Sequence, residues 1–499
     1  MLLAVGLAIA ALSLVPLGYV IWTTAELGVR EAIDFLWRPR IGELLWNTVR
    51  LLVAGVLAST VLGVGGAWVV ERTDVPGRGW WHGLMCAPLA VPAFVNGYGW
   101  VSTTHAVQSF PGAVMVVTLS YYPLVYLPTV AALRRLDPAV EEVAASLGRS
   151  GWSVFTRVTV PAISPAVLGG ALLVGLHLLA EYGALQLLNY PTLTTAILQQ
   201  YATVFNGPEA TLLALVLVTF CLLLLGLELV LRGHRRRARV GSGASGVPHR
   251  IRLGRFRVPV VAAMTALALW ALAVPIGALV RWLVRGTSTS VDVAELISAI
   301  WTTLGLALGG GLMATAVAVP VVWLAVRHRG LLTTAIERSV YTASAMPGIV
   351  IALALATVSI RVVPSLYQTL VVLLLGYTIL FLPRAVVSVR STFELVPPGL
   401  EEVARNLGCT GPAVARRVTL PLVLPGLTAA TALVALAVAT ELTATLLLAP
   451  LGTDTLATRF WSDASSIAYG AAAPYGLALV VLSIPSTWLL GRLSLGSTT

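Results

Sequence analysis

Twelve apolar runs, each near the ~20 residues an α-helix needs to cross a hydrocarbon layer about 30 Å thick, dominate this sequence. They fall at 2–23, 47–70, 84–104, 112–132, 166–187, 209–231, 257–281, 298–326, 339–360, 367–390, 426–449 and 472–490. Lipid offers no partner to a free N–H or C=O, so runs of this kind cross as helices that satisfy their own backbone. The expected fold is therefore an all-α polytopic membrane protein. Composition agrees, because 58 % of the 499 residues are hydrophobic and only 11 % are charged, less than half the ~25 % charge of soluble domains. The first run lacks a basic leading segment and outlasts the apolar stretch of a signal peptide, so it reads as an uncleaved span.

The charges narrow the function. All 32 basic residues are Arg and none is Lys. A nucleotide-binding P-loop needs a Lys for the β- and γ-phosphates, and Schiff-base chemistry needs a Lys amine, so the chain is neither a P-loop ATPase nor a pyridoxal enzyme. With the N-terminus inside, 24 Arg fall on the cytoplasmic side and 7 outside, with Arg50 just within a span. That asymmetry sets the orientation. Nine of these Arg lie between Arg232 and Arg257 in a Gly- and Ser-punctuated stretch. It reads as a cytoplasmic linker, 233–256, that sets topology and meets anionic lipid, with no call for nucleic acid. Cys86, Cys221 and Cys409 have no ligand spacing and read as packing residues. The six His form no metal pair, and no catalytic set emerges.

The chain repeats itself. A shift of 255 residues lays Trp46, Thr48 and Leu51 on Trp301, Thr303 and Leu306, Trp68 and Arg72 on Trp323 and Arg327, and Pro92 on Pro347. Past Leu127-Pro128 and Leu382-Pro383 the shift becomes 260, and residues 141–165 lie ungapped on 401–425. Six spans separate the two copies, so both face one side and the duplication is parallel. The expected domains are a first repeat, 1–232, with a long loop at 133–165, and a second, 257–499, with its loop at 391–425.

Each loop opens with a Pro near a helix start (Pro138, Pro398), then a Glu pair in the first turn (Glu141-Glu142, Glu401-Glu402), and stops at Gly148 or Gly408. Val143, Ala144 and Leu147, and likewise Val403, Ala404 and Leu407, gather into a small apolar patch on one face. A helix this short is marginal in water and wants a groove to lie in. Pro161 with Pro165, and Pro421 with Pro425, are expected to bend the chain back into the membrane.

These loops resemble the signature E-A-A-x3-G-x9-I-x-L-P of the membrane subunits of ABC importers. The first copy reads Glu142, Val143, Ala144, Gly148, Val158, Val160, Pro161, and the second Glu402, Val403, Ala404, Gly408, Val418, Leu420, Pro421. Val replaces the first Ala, and Val also replaces the Ile, in both copies. The stretch 441–461 is similar to the corresponding segment of fused ferric-iron transport permeases, with Thr443 where that family has Pro and Ala449 where it has Arg. The resemblance covers nearly the whole chain and implies the type I importer permease fold. It also implies a transport subunit of the bacterial cytoplasmic (inner) membrane that is not itself an enzyme and carries no cofactor. ATP and Mg would sit on two copies of an ATP-binding subunit, each docked on Glu141 to Gly148 or Glu401 to Gly408. An extracytoplasmic solute-binding protein would deliver the cargo to outer loops that carry acids.

Two acids, Glu181 and Glu441, occupy matched places in the repeats, about 22 Å into their spans at 1.5 Å per residue. A charge there is costly unless it faces a wet cavity or a partner. With Tyr182 and Thr443 they are expected to line the translocation pathway, making at most transient contact with a metal cargo. Oxygen ligands suit a hard cation, and ferric iron is one. The competing reading is that each Glu caps a broken helix. Alternatives for the whole chain are the same architecture importing thiamine or a phosphonate, or an ion-coupled secondary transporter.

Overall fold

The structure is a computed structural model that describes residues 2–202, 204, 207–232, 250–285, 292–328 and 330–495. Most of the basic linker, 233–249, and residues 286–291 lie outside the described residues. Among the described residues nine helices are long and apolar enough to cross a membrane, and three bent helix pairs raise the number to twelve. Each of the twelve apolar runs has its helix or bent pair.

The run at 84–104 is not one straight span. Arg78–Ala90 and Ala93–Val101 meet at 88°, and at the matched place in the second repeat Leu331–Ala343 and Gly348–Val362 meet at 102°. Proline is the cause. The ring of Pro92 pushes Val91 out of the helical region, to φ −101 and ψ 107, and Pro92 itself is extended with ψ 144. Pro347 does the same with ψ 149. The run at 166–187 also divides, since its helix ends at Ala180 and a short helix Gly183–Leu187 follows. In the second repeat the helix ends at Ala439 and Thr443–Leu448 follows.

The described chain gathers into two compact units, which are a different partition from the sequence repeats. One holds Met1–Trp37, Ile197–Val218 and Ser290–Asp463, and the other Arg38–Ala196, Thr219–Thr289 and Ala464–Thr499. In the first unit, Leu2–Glu26 packs on Val293–Arg327, Leu331–Ala343 and Gly348–Val362. Gly6 permits it, because a Cβ there would sit 2.6 Å from Leu324 Cδ1. In the second unit, Val274–Arg285 packs on Ala93–Val101 and Tyr469–Leu495, with Gly99 so close that a Cβ would meet Pro275 Cα at 2.4 Å. The first span of each repeat thus lies on helices of the other repeat.

Repeat symmetry extends to single hydrogen bonds. Thr48 Oγ1 accepts from Leu193 N–H at 3.0 Å, and Thr303 Oγ1 from Leu456 N–H at 2.9 Å. Helices approach closely at small residues, as they do where lipid supplies no hydrophobic drive between them. Pro39–Arg72 meets Pro123–Arg135 at Gly63, where a Cβ would lie 2.7 Å from Val125 Cβ and 2.9 Å from Tyr122 O. Val293–Arg327 meets the helix Leu420–Ala439 at Gly311, where a Cβ would lie 2.7 Å from Thr431 O. Gly63→Val and Gly311→Val are each expected to lower stability by about 1–3 kcal/mol through overpacking. At Gly65 a Cβ would meet nothing within 4 Å, so Gly65→Ala should leave thermal unfolding in detergent almost unmoved.

Candidate functional site: two anchored loop helices and two capped carboxylates

In the first loop the helix Pro138–Ser146 begins where Asp137 Oδ1 accepts from Ala139 N–H at 3.0 Å. It ends at Gly148, whose φ of +79 is open to glycine at little cost. Arg149 N–H then closes on Ala144 O at 3.3 Å, the six-residue turn of the Schellman pattern. The second loop repeats this with Pro398–Asn406, Gly408 at φ +85, and Cys409 N–H on Ala404 O at 3.0 Å.

The acidic pair divides in both loops. Glu141 accepts from Thr159 Oγ1 at 2.7 Å and lies 3.5 Å from Arg72 Nη2. Glu401 accepts from Thr419 Oγ1 at 3.1 Å and from Arg327 Nη2 at 2.9 Å. Arg72 and Arg327 end their long helices, where a cation is favoured by the helix dipole. Each also donates to a backbone carbonyl, Arg72 to Leu133 O at 3.1 Å and Arg327 to Val396 O at 3.3 Å. The first Glu of each pair therefore clasps the loop helix to a long helix of its own unit. Ala404 is buried too, and Ala144 is half-buried. Glu142, Val143 and Leu147 face outward, as do Glu402, Val403 and Leu407, with Leu147 77 % and Leu407 80 % exposed. The pairing of Arg72 with Arg327 in the sequence repeat was the signal for the clasp.

The prolines act differently from the sequence expectation. The reversal lies at the positive-φ glycines, Gly148 and Gly408, and the return helix runs on through Pro161 and Pro165, and through Pro421 and Pro425. Proline cannot donate its bond, and its ring crowds the carbonyl four residues back. A wider π-turn, Phe155–Thr159 or Ala415–Thr419, precedes each pair and makes room. Ser164 Oγ donates to Pro161 O at 2.9 Å, in place of the bond Pro165 cannot make. Beside the first clasp is a cavity of about 200 Å3 lined by Trp68, Arg72, Glu141, Phe155 and Ile251. Ile251, at the end of the basic linker, is tied there by its N–H to Arg72 O at 2.9 Å and its C=O to Asp74 N–H at 3.2 Å.

Glu181 and Glu441 stand at the breaks, just beyond Ala180 and Ala439, and not inside continuous helices. Glu181 Oε1 accepts from Ala184 N–H at 2.8 Å, and Glu441 Oε1 from Ala444 N–H at 2.9 Å. Each carboxylate caps the short helix that follows. Tyr121 donates to the other oxygen of Glu181, and its ring lies 5.4 Å from that of His177. Tyr182 is buried beside Glu181, and Thr443 is half-buried at the start of its short helix. Thr445 Oγ1 donates to Glu441 O at 2.9 Å and pairs with Tyr377 OH at 2.7 Å. Sequence reasoning missed Tyr121, the donor to Glu181. Among the described residues no group of three or more His, Cys, Asp or Glu could hold a metal ion.

The clasp has a measurable consequence. Side chains of Arg327 and Glu401 are 12 % and 4 % exposed, so Glu401→Ala, which strands a buried guanidinium, should cost about 3–5 kcal/mol in unfolding stability. Its outward neighbour is the control: Glu402→Ala should change stability by no more than about 0.5 kcal/mol.

Comparison with known proteins agrees with this architecture. The family model for the binding-protein-dependent transport system inner membrane component matches the chain twice, at residues 55–240 and 310–496. The chain is 38 % identical over 481 residues to the Fe(3+)-transport system permease protein FbpB 2 of Haemophilus influenzae, covering 96 % of this chain and 95 % of that one. It is 29 % identical over 263 residues to the sulfate transport system permease protein CysW of Escherichia coli, covering 48 % of this chain and 90 % of the relative. A further match is the molybdate/tungstate transport system permease protein WtpB of Thermococcus kodakarensis, at 24 % over 232 residues, 46 % of this chain and 92 % of the relative. Two family matches in one polypeptide, on a frame of membrane-length helices, place this chain in the inner-membrane permease family of ABC importers as a two-repeat, multi-pass member.

Proposed function

We propose that the chain is the single-chain permease of an ATP-driven importer and that its cargo is ferric iron. The observation that carries this reading is the pair of anchored loop helices, each offering an outward Glu and two exposed apolar side chains. Likeness to a ferric-iron permease along almost the whole length supports the cargo. Two ATP-binding subunits, which carry the ATP and Mg, each take one helix in a groove: Val143 and Leu147 enter one, Val403 and Leu407 the other. Closure of those subunits on ATP moves the two loop helices, and the clasps pass that motion to the long helices ending at Arg72 and Arg327.

The Arg distribution supports loops and linker on the cytoplasmic side, with the linker on anionic lipid. A solute-binding protein on the opposite side delivers the cargo. Glu181 and Glu441, with Tyr182 and Thr443 beside them, line the route through the membrane; a carboxylate oxygen that already caps a helix keeps a lone pair for a passing hard cation. The two moving halves are the repeats 1–232 and 257–499 with their first spans exchanged, so that each half is one compact unit with its own loop helix and clasp.

The test is uptake into proteoliposomes holding the chain, its ATP-binding subunits and its binding protein. ATP-dependent ferric uptake is expected. Leu147→Asp or Leu407→Asp should reduce it at least about tenfold and weaken co-purification of the ATP-binding subunits, while thermal unfolding of the chain stays near wild type. Uptake of sulfate or molybdate in place of iron would overturn the cargo alone. Uptake that follows a proton gradient without ATP would overturn the importer reading.

A further inference from the structure

The helix Pro39–Arg72 ends at the first clasp, and the chain just past the basic linker closes that end. The last carbonyls of a helix have no partner within it. Here Arg72 O accepts from Ile251 N–H at 2.9 Å, and Asp74 N–H donates to Ile251 O at 3.2 Å. Thr73, between them, is extended and fully buried and pairs with Ile251 as a parallel bridge. Asp74 Oδ1 completes the set by accepting from Leu253 N–H at 2.8 Å. Together these bonds strap Ile251 and Leu253 across the residues that end the helix.

Both strapped residues reach the surroundings of the clasp. Ile251 forms part of the wall of the cavity it shares with Trp68, Arg72, Glu141 and Phe155. Leu253 packs on a buried cluster that includes Val70, Val75 and Leu133, and Leu133 O is the carbonyl that holds the Arg72 guanidinium at 3.1 Å. The strap therefore fixes Arg72 twice, its backbone through Ile251 and the support of its side chain through Leu253. Past Leu253 the chain turns directly into the helix Arg257–Ala268, whose Met264 lies in the same cluster. The exchanged span of this unit is thus set on the helix that carries the clasp.

The second clasp is built differently. Asp74 corresponds to Arg329 in the repeat, a side chain with no acceptor, and Thr73 with Ile251 is the one isolated bridge among the described residues. His328 N–H closes that helix end locally, on Leu324 O at 3.0 Å. The ion pair is also tighter there. Arg327 and Glu401 lie 2.9 Å apart with the Glu401 side chain 4 % exposed, against 3.5 Å and 21 % for Glu141 with Arg72. A longer and wetter pair holds less firmly, and the strap stands beside that one.

We propose that Ile251 and Asp74 are positioning residues for the first loop helix: the strap holds Arg72 where Glu141 reaches it, so that the loop at 133–165 depends on the end of the linker and the loop at 391–425 does not. The linker, besides joining the repeats, is then part of the path from an ATP-binding subunit into the membrane, in one compact unit only. This consequence for transport rests on the importer reading; the anchoring does not.

Hydrogen exchange of the purified chain in detergent, for wild type, D74A, D74N and I251P, reads the anchoring. D74A, which removes the acceptor for Leu253 N–H, should speed exchange in 138–148 at least about threefold while 398–408 stays at the wild-type rate. D74N keeps a side-chain oxygen that can accept the same bond and should stay within about twofold of wild type. I251P removes the donor to Arg72 O and should be at least as fast as D74A. In reconstituted uptake D74A should lower the iron imported per ATP hydrolysed by about threefold, with D74N near wild type. The inference is overturned if D74A leaves 138–148 at the wild-type rate, if both loops speed up together, if D74N is as fast as D74A, or if faster exchange in D74A leaves the iron-to-ATP ratio unchanged. A wild type that imports no iron with ATP fails the functional reading, and the exchange rates then still decide the anchoring.

Discussion

Each loop helix hangs from one arginine at the end of a long membrane helix. Arg72 and Arg327 hold Glu141 and Glu401, and through them helices too short to persist in water by themselves. The clasp orients as well as anchors. With the first acid of each pair turned in, helical periodicity turns Val143 and Leu147, or Val403 and Leu407, out. The same bond links the exposed face of each loop helix to a long helix of its own unit. Loss of either partner strands the other in a place with little water access.

The membrane helices show how a backbone is broken where lipid gives it nothing to bond with. At Pro92 and Pro347 the residue before the ring cannot stay helical, and the chain turns through nearly a right angle. At Glu181 and Glu441 the break is satisfied from within, because a carboxylate oxygen takes the N–H left open at the start of the next short helix. At Pro161 and Pro421 the helix is not broken at all, since a π-turn ahead of the ring relieves the crowding. Proline thus has two outcomes in this chain, a sharp break at Pro92 and Pro347 and an unbroken helix at Pro161 and Pro421, where the preceding turn is widened.

Duplication preserves what the fold needs and frees the rest. Thr48 with Leu193 and Thr303 with Leu456 make the same bond, as do the two caps and the two clasps. Tyr121, which donates to Glu181, has Gly376 as its counterpart in the other repeat. Divergence there changes the company of a capped carboxylate in a place where the backbone cap is unchanged.

The spans, their number, the parallel repeat and the loop signature were legible in the sequence, because each depends on local composition or on spacing within a few turns. Twenty apolar residues cross a membrane whatever lies beside them, and a Glu pair about two turns of chain before a Gly stop marks the bounds of a short helix. The inward turn of Glu141 and Glu401 was not legible. It depends on Arg72 and Arg327, about seventy residues away along the chain. Nor could the sequence tell that the first span of each repeat packs on helices of the other, which is decided by which small residue, Gly6 or Gly99, lets which pair of helices close. Local chemistry determines which elements exist; contact between distant elements decides which side chain of a repeated pattern is anchored, which is offered and which is charged.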